Sequence, residues 1–306
     1  MSDSKRHLCK LILKRDYLIF FDMKNVVGIA FGYKITNGLN TNEPCIKVFV
    51  TTKEPPSSLN SDDSIPEIYE NFKTDVVQCG ELSYSSLKEK NLPLKFGYSI
   101  GPSTVKDVGS SGCLVKDCCG NHYILSANHV LSYFDELPIG TPILHPGVKD
   151  GGKYPDDLIA TLSKKISALS TDEDKYLLNY VDCAIAKITN PSLVSNKIFL
   201  IDNIKGVADA DINLNVKKIG RTTELTTGKV IALDAILKIS NINSYEQIYH
   251  DQIITTCMSD KGDSGSILLD DDNNAIGLLF AKGDSISIAN SIKAVLTALN
   301  VRIVTS

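Results

Sequence analysis

The chain has 306 residues and a formal net charge of -4, enough length for two domains or one large domain with an extension. A hydrophobic share of 43% predicts a soluble protein with a substantial core. The slight acidic balance and the scattered Lys and Arg argue against a nucleic-acid partner, and no apolar stretch is long enough to span a bilayer.

The first 21 residues carry Leu8, Leu11 and Ile12 at helical spacing, which predicts a short amphipathic helix over residues 4–20. Their longest apolar run, Tyr17 to Phe21, is too short for a signal-peptide core, and Lys14, Arg15 and Asp16 interrupt the pattern. A cytoplasmic location is the default expectation. Residues 26–31 and 45–50 read as strands, with the turn signal Thr36-Asn37-Gly38-Leu39-Asn40-Thr41-Asn42 between them. Glu54-Pro55-Pro56-Ser57-Ser58 ends that hairpin, residues 60–70 are loop-like, and residues 74–78 read as one more strand. Residues 1–95 are therefore expected to form a small α+β domain, regulatory or adaptor in role, and residues 96–306 a second domain.

From Gly97 onward the chain reads as short strands separated by Gly- and Asn-rich turns, which points to a barrel or sandwich. Strands are expected at 111–115, 122–126, 141–144, 158–162, 183–188, 216–219, 229–237, 252–257, 267–269 and 275–281. One helix closes the chain, with Asn290 or Ser291 as its cap and Ile292, Val295, Leu296 and Leu299 on one face.

Eight cysteines in a reducing compartment are expected to be mostly buried thiols rather than disulfides. Cys113, Cys118, Cys119 and His122 cluster, but Cys118 and Cys119 are adjacent and no second pair matches them, so zinc is not expected. Asp270-Asp271-Asp272-Asn273-Asn274 lacks the Gly and the closing acid of a calcium loop, and reads as a polar turn. No cofactor or metal is expected.

The stretch Gly262-Asp263-Ser264-Gly265-Ser266 precedes the apolar run Ile267-Leu268-Leu269. A serine there is either part of a polar turn or a nucleophile, and a nucleophilic serine needs a base and a group to orient that base. His122 and His145 lie in turn contexts, His7 in the first helix, and His250 just before a strand. His129 follows an apolar strand on a small-residue turn, well placed to reach a cleft. Asp182 opens the apolar strand Cys183-Ala184-Ile185-Ala186, where a buried carboxylate needs a partner. Asp156 and Asp157 are the reserve acids, and Asp172, Glu173 and Asp174 read as a solvated loop.

Ser126-Ala127-Asn128-His129-Val130, Asp182-Cys183-Ala184-Ile185 and Gly262-Asp263-Ser264-Gly265-Ser266 together resemble the trypsin-like, chymotrypsin-fold serine peptidases, whose triad runs His, Asp, Ser. Gly220-Arg221-Thr222-Thr223 resembles the Thr-Thr hairpin of bacterial members, with Glu224 where relatives often have Gly. The chain is also similar to a signal-less group in bacteria and plants that carries an N-terminal α+β segment. The strings Gly147-Val148-Lys149-Asp150-Gly151-Gly152 and Gly277-Leu278-Leu279-Phe280-Ala281 match that group. An α/β-hydrolase would need Gly at 266 and a His after the Ser, and neither is present.

The resemblance implies a mainly β fold of two six-stranded barrels with a C-terminal helix, and a cleft holding His129, Asp182 and Ser264. It implies an oxyanion hole from the amides of Gly262 and Ser264. Met258 stands where trypsins have the acid of the specificity pocket, so a pocket of Met258, Phe280 and Ala281 implies preference for apolar or small residues. Asp263, which pairs with a freed N-terminus in secreted trypsins, is expected to pair with Lys218 or Arg221. The implied activity is limited cleavage of an intracellular protein, with relatives encoded beside antiviral defence effectors. A vestigial binding module and an esterase are the alternatives. A protein or peptide is the implied substrate partner, and a homo-oligomer is left open.

Overall fold

A computed structural model describes residues 2–81, 86–168, 178–240 and 246–305. The acidic stretch Asp172–Asp174 lies outside the described residues. The chain divides into two compact units, Met1–Ser85 and Ser86–Ser306. The second unit thus begins about ten residues earlier than the composition suggested, because Leu87 and Leu94 are buried in its core.

In the first unit α1 (Ser2–Phe21) packs on a sheet of β1 (Val26–Thr36), β2 (Leu39–Val50), β3 (Ile68–Tyr69) and β4 (Phe72–Gln78), in the order β1-β2-β4-β3. Asn37 and Gly38 both have positive φ, 50° and 77°, so β1 and β2 join through a two-residue turn whose twist suits a hairpin. The strands extend to that turn, further than the Thr36–Asn42 signal indicated. The buried face of α1 is Cys9, Ile12, Asp16 and Phe20, and Leu8 and Leu11 are exposed. Of the expected face, Ile12 is buried while Leu8 and Leu11 are not, and Cys9 packs in their place as a small hydrophobe. Asp16 is tolerated inside because Arg15 Nε and Tyr69 Oη donate to it at 2.7 and 3.1 Å.

The second unit begins with β5 (Leu94–Phe96), β6 (Ser99–Pro102), β7 (Gly109–Ser110), β8 (Cys113–Lys116), β9 (His122–Ser126) and the short helix α2 (Asn128–Leu131). It continues with β10 (Pro142–Leu144), β11 (Leu158–Lys165), β12 (Ala184–Ile188), β13 (Val194–Ile198) and β14 (Gly206–Val207). Then follow β15 (Asn215–Gly220), β16 (Glu224–Ser240), β17 (Glu246–Thr256), β18 (Ile267–Leu269), β19 (Asn274–Lys282), β20 (Ile286–Ser291), α3 (Ile292–Leu299) and β21 (Arg302–Ile303).

Most of these strands form two sheets, each curled back on itself, and β5 and β13 pair in parallel apart from them. In the first the order is β8-β9-β12-β11-β10-β6-β7, and β7 runs through Ser111 and Gly112 straight into β8, so its two ends are one stretch of chain. In the second the order is β18-β15-β16-β17-β20, and β19 pairs with both β18 and β20 to close the ring. Closure removes the unpaired edges that a short-stranded sheet would otherwise expose. Strand β21 returns after α3 to pair with β8 of the first sheet. Ser291 precedes α3 without a side-chain cap, and Asn290 is buried in β20 rather than capping the helix. Among the described residues no helix is long and apolar enough to cross a membrane.

Candidate active site

Strand β9 is buried along Tyr123–Ser126 and delivers the chain into α2, whose second residue is His129. The imidazole Nδ1 lies 2.8 Å from Asp182 Oδ2, and the backbone N–H of His129 donates to Asp182 Oδ1 at 3.1 Å. One carboxylate thus holds both the ring and the main chain of the histidine. Burial disfavours the charged ring, but the charge and hydrogen bond of Asp182, with a smaller contribution from Asp107, outweigh it and raise the imidazole above the usual histidine range. The ring stacks on Phe134, with centroids 5.3 Å apart and planes 28° apart. Phe134 sits in a run of three left-handed residues, Tyr133, Phe134 and Asp135, held by Asp135 N–H donating to Ser132 Oγ at 3.0 Å and by Lys165 Nζ donating to the Asp135 carbonyl at 2.7 Å. Strain of this kind persists only where surrounding contacts over-determine it.

Asp182 is placed by the second sheet as well as the first. Its N–H donates to Asn290 Oδ1 at 2.9 Å, and Asn290 Nδ2 donates to Gln252 Oε1 at 2.7 Å. Gln252 Nε2 donates back to the Tyr180 carbonyl at 3.0 Å, so the strand-20 and strand-17 amides clasp the segment carrying the acid. Sequence reasoning missed Asn290 and Gln252; polar residues in otherwise apolar strands were the available signal.

Ser264 lies on the loop between β17 and β18, half-buried. Every carbonyl from Lys261 to Ser264 accepts a hydrogen bond from a named donor. Thr222 Oγ1 donates to Lys261 O at 2.8 Å, and Ser110 Oγ to Gly262 O at 2.9 Å. Ser266 Oγ donates to Asp263 O at 2.6 Å, and Ser110 N–H to Ser264 O at 2.8 Å. The N–H groups of Asp263, Gly265 and Ser266 are also donated, to Asp260 O, Leu279 O and Asp263 O. Among the described residues, those of Gly262 and Ser264 have no acceptor. The loop satisfies its backbone and holds back two alternate amides, at the positions expected of an oxyanion hole. Gly262 and Gly265 have φ of 99° and 93°, which explains their residue type.

Ser264 Oγ donates to the Phe280 carbonyl at 3.2 Å, and among the described residues no hydrogen bond joins it to His129. The backbone segments that carry them meet at Gly109. A methyl group on Gly109 would lie 2.4 Å from Val130 Cγ2, beside His129, and 2.8 Å from the Ser264 carbonyl.

Asp263 is fully buried, and Lys218 Nζ lies 3.4 Å from its Oδ2. Its carboxylate also accepts from the N–H groups of Thr222 and Thr223, from Thr223 Oγ1 and from the N–H of Asp260, at 2.6 to 3.1 Å. Of the two expected partners, Lys218 is the one present; Arg221 instead makes a two-pronged pair with Asp150, its Nε donating at 2.6 Å. Glu224 adopts φ 54°, a left-handed conformation that Gly takes more readily.

A cavity of about 160 Å³ adjoins Ser264, walled by Ser259, Asp260, Lys261, Leu279, Phe280, Ala281 and Lys282. Phe280 and Ala281, two of the three residues named for a substrate pocket, line it. Met258 does not: it is 4% exposed and packs with Val216, Val230 and Ile253 in a separate apolar cluster, its thioether drawn to that core. Lys282 Nζ meets Asp260 Oδ1 at 3.1 Å across the wall. Of the reserve acids, Asp157 pairs with Lys90 at 2.5 Å, remote in partner from His129. His145, in its turn context, is 1% exposed: Nδ1 donates to Ser99 O at 2.9 Å, Nε2 accepts from the Asn91 N–H at 3.0 Å, and burial lowers its basicity. Asp270 accepts from Asn274 N–H and Nδ2 at 2.7 and 2.9 Å, as a polar turn would.

The solved structures that resemble this chain share that frame. Thermobifida fusca protease A is 17% identical, with a TM-score of 0.51 over 69% of this chain and 98% of that one. Nocardiopsis protease is 16% identical, with a TM-score of 0.50 over 69% and 98%. A glutamic acid specific serine protease is 19% identical, with a TM-score of 0.50 over 69% and 100%. The second unit has the chymotrypsin fold. Residues 6–80, in the first unit, match the family described as the NARROW LEAF 1 N-terminal domain. No curated protein matches the chain.

Proposed function

We propose that the second unit is a serine endopeptidase with Ser264 as nucleophile, His129 as general base and acid, and Asp182 as its orienting carboxylate. The observation that carries the reading is the His129–Asp182 pair, bonded through both ring and backbone, in the same unit as a serine loop that reserves two amides. In the reaction Ser264 Oγ turns from the Phe280 carbonyl to His129 Nε2 and gives up its proton as it attacks the scissile carbonyl. Asp182, bound to Nδ1, keeps the free electron pair on Nε2 and stabilises the imidazolium that forms. The amides of Gly262 and Ser264 receive the negative oxygen. His129 then passes its proton to the leaving amine, and water releases the acyl group by the reverse sequence.

The cavity beside Ser264 has its one acid, Asp260, neutralised by Lys282, so an uncharged small or apolar side chain suits it better than Lys or Arg. A peptide library cut only after Lys or Arg would overturn that preference. Asp263 already holds Lys218, which supports activity without a freed N-terminus. All eight cysteines are free thiols, which supports a reducing, cytoplasmic setting and an intracellular protein substrate. A role in defence rests on the family resemblance.

The second reading is a latent or vestigial site serving as a binding module. The Ser264–Phe280 hydrogen bond favours it, since the nucleophile is not yet on its base. Labelling the full chain with a fluorescent fluorophosphonate at neutral pH separates the two. Reaction that vanishes in Ser264→Ala and falls steeply in His129→Ala and Asp182→Ala supports the peptidase; folded protein that stays unlabelled supports the binding module. Amide against ester substrates then separate a peptidase from an esterase.

A further inference from the structure

A trans peptide unit is planar, with its N–H directed opposite to its C=O. The direction of the Gly262 amide is therefore set by whatever holds the Lys261 carbonyl. That carbonyl accepts from Thr222 Oγ1 at 2.8 Å. The hydroxyl's single proton is committed by its other neighbour: Arg221 Nη1 lies 3.0 Å away, and a guanidinium can only donate. Thr222 must accept from Arg221, which leaves its own hydrogen for Lys261. Arg221 is fixed in turn by Asp150, whose Oδ2 also accepts from Ser99 Oγ at 2.6 Å. The hydroxyl lies against the loop itself, 2.5 Å from where a Cβ on Gly262 would stand.

We propose that Thr222 is a positioning residue for transition-state stabilisation: its hydroxyl, polarised by the Asp150–Arg221 pair, locks the Lys261–Gly262 peptide so that the Gly262 N–H faces the reacting oxygen. This rests on the reading of Ser264 as nucleophile. Ser266 Oγ plays the matching part on the Asp263–Ser264 peptide, but there the backbone N–H of Ser266 shares the carbonyl. Among the described residues Thr222 alone donates to the Lys261 carbonyl, so its loss frees a peptide plane to rotate.

Thr222→Val keeps the shape and the N–H bond to Asp263 while removing the hydroxyl. The full chain is titrated with a fluorophosphonate and the inactivation is split into KI and kinact, beside the melting temperature. The expected result is a kinact lower by about tenfold to a hundredfold at unchanged KI, restored by Thr222→Ser. Thr222→Ala, which removes the same hydroxyl with less bulk, replaces the valine variant if that fails to fold. A kinact within twofold of wild type overturns the inference, as does a loss that Thr222→Ser fails to restore or that lies in KI. Wild-type protein that is folded but inert removes the reading of Ser264, and this inference with it; reactive wild type with an equally reactive variant overturns Thr222 alone.

Discussion

Asn290 holds Asp182 by its backbone, accepting the aspartate N–H at 2.9 Å from a strand of the other closed sheet. The carboxylate that orients His129 is thus located by both halves of the unit. Both Asn290 and Gln252 are fully buried. Asn290→Leu leaves the Asp182 N–H and Gln252 Oε1 without partners, and each orphaned group costs about 1–3 kcal/mol. Urea unfolding is expected to show a lower midpoint, with slower fluorophosphonate labelling at 25 °C. An unchanged midpoint would show that the clasp carries no stability.

The charge state of His129 predicts a pH profile. Its basicity is raised in the folded protein, so the neutral, proton-accepting ring appears only above the ordinary histidine value of about 6.5. The acid limb of the labelling rate should therefore have its midpoint above that value. Asp182→Asn removes the main raising influence and leaves burial, so the midpoint should fall while the rate drops by roughly 10⁴-fold. The linked stability has the opposite trend. The favourable contribution of protonated His129 is complete below about 6.5 and is lost as pH rises through the raised folded value. A midpoint below 6 in wild type would contradict the pairing.

Lys218 and Asp263 are both shut off from solvent. Burial lowers the basicity of the lysine, and the Asp263 charge partly restores it. Removing only the cation strands a buried carboxylate, at a cost of about 3–5 kcal/mol. Lys218→Met should show this loss in urea unfolding, and adding Asp263→Asn should recover part of it. Equal stability of Lys218→Met and wild type would mean that the four other donors to Asp263 suffice.

The boundary between the units can be tested by where the second is made to begin. Leu87, Leu94 and Phe96 are at most 2% exposed, in the core of the second unit. A chain starting at Ser86 keeps them, and one starting at Gly97 loses all three. The first should melt cooperatively; the second should melt many degrees lower or not fold, since truncating each such side chain costs roughly 2–5 kcal/mol. Equal melting temperatures would place the boundary near residue 96.

Much of this was legible in the chain itself. Short continuous apolar runs bounded by turn signals placed β9 and β18 at the bounds later observed. The pairing of His129 with Asp182 was legible because an acid at the mouth of an apolar strand needs a partner when buried, and the imidazole meets it at 2.8 Å. Register was less secure: α1 buries Cys9 and Ile12 while Leu8 and Leu11 face outward, since a single helix pattern cannot say which of two apolar stripes meets the sheet. Polar pairing was decided only by the tertiary structure. Nothing local distinguishes Lys218 from Arg221 as the partner of Asp263, or sends Asn290 to Asp182 instead of to the helix that follows it. Those choices depend on which buried donors meet which acceptors once two sheets close on each other, and that is fixed by long-range geometry rather than by neighbours in the chain.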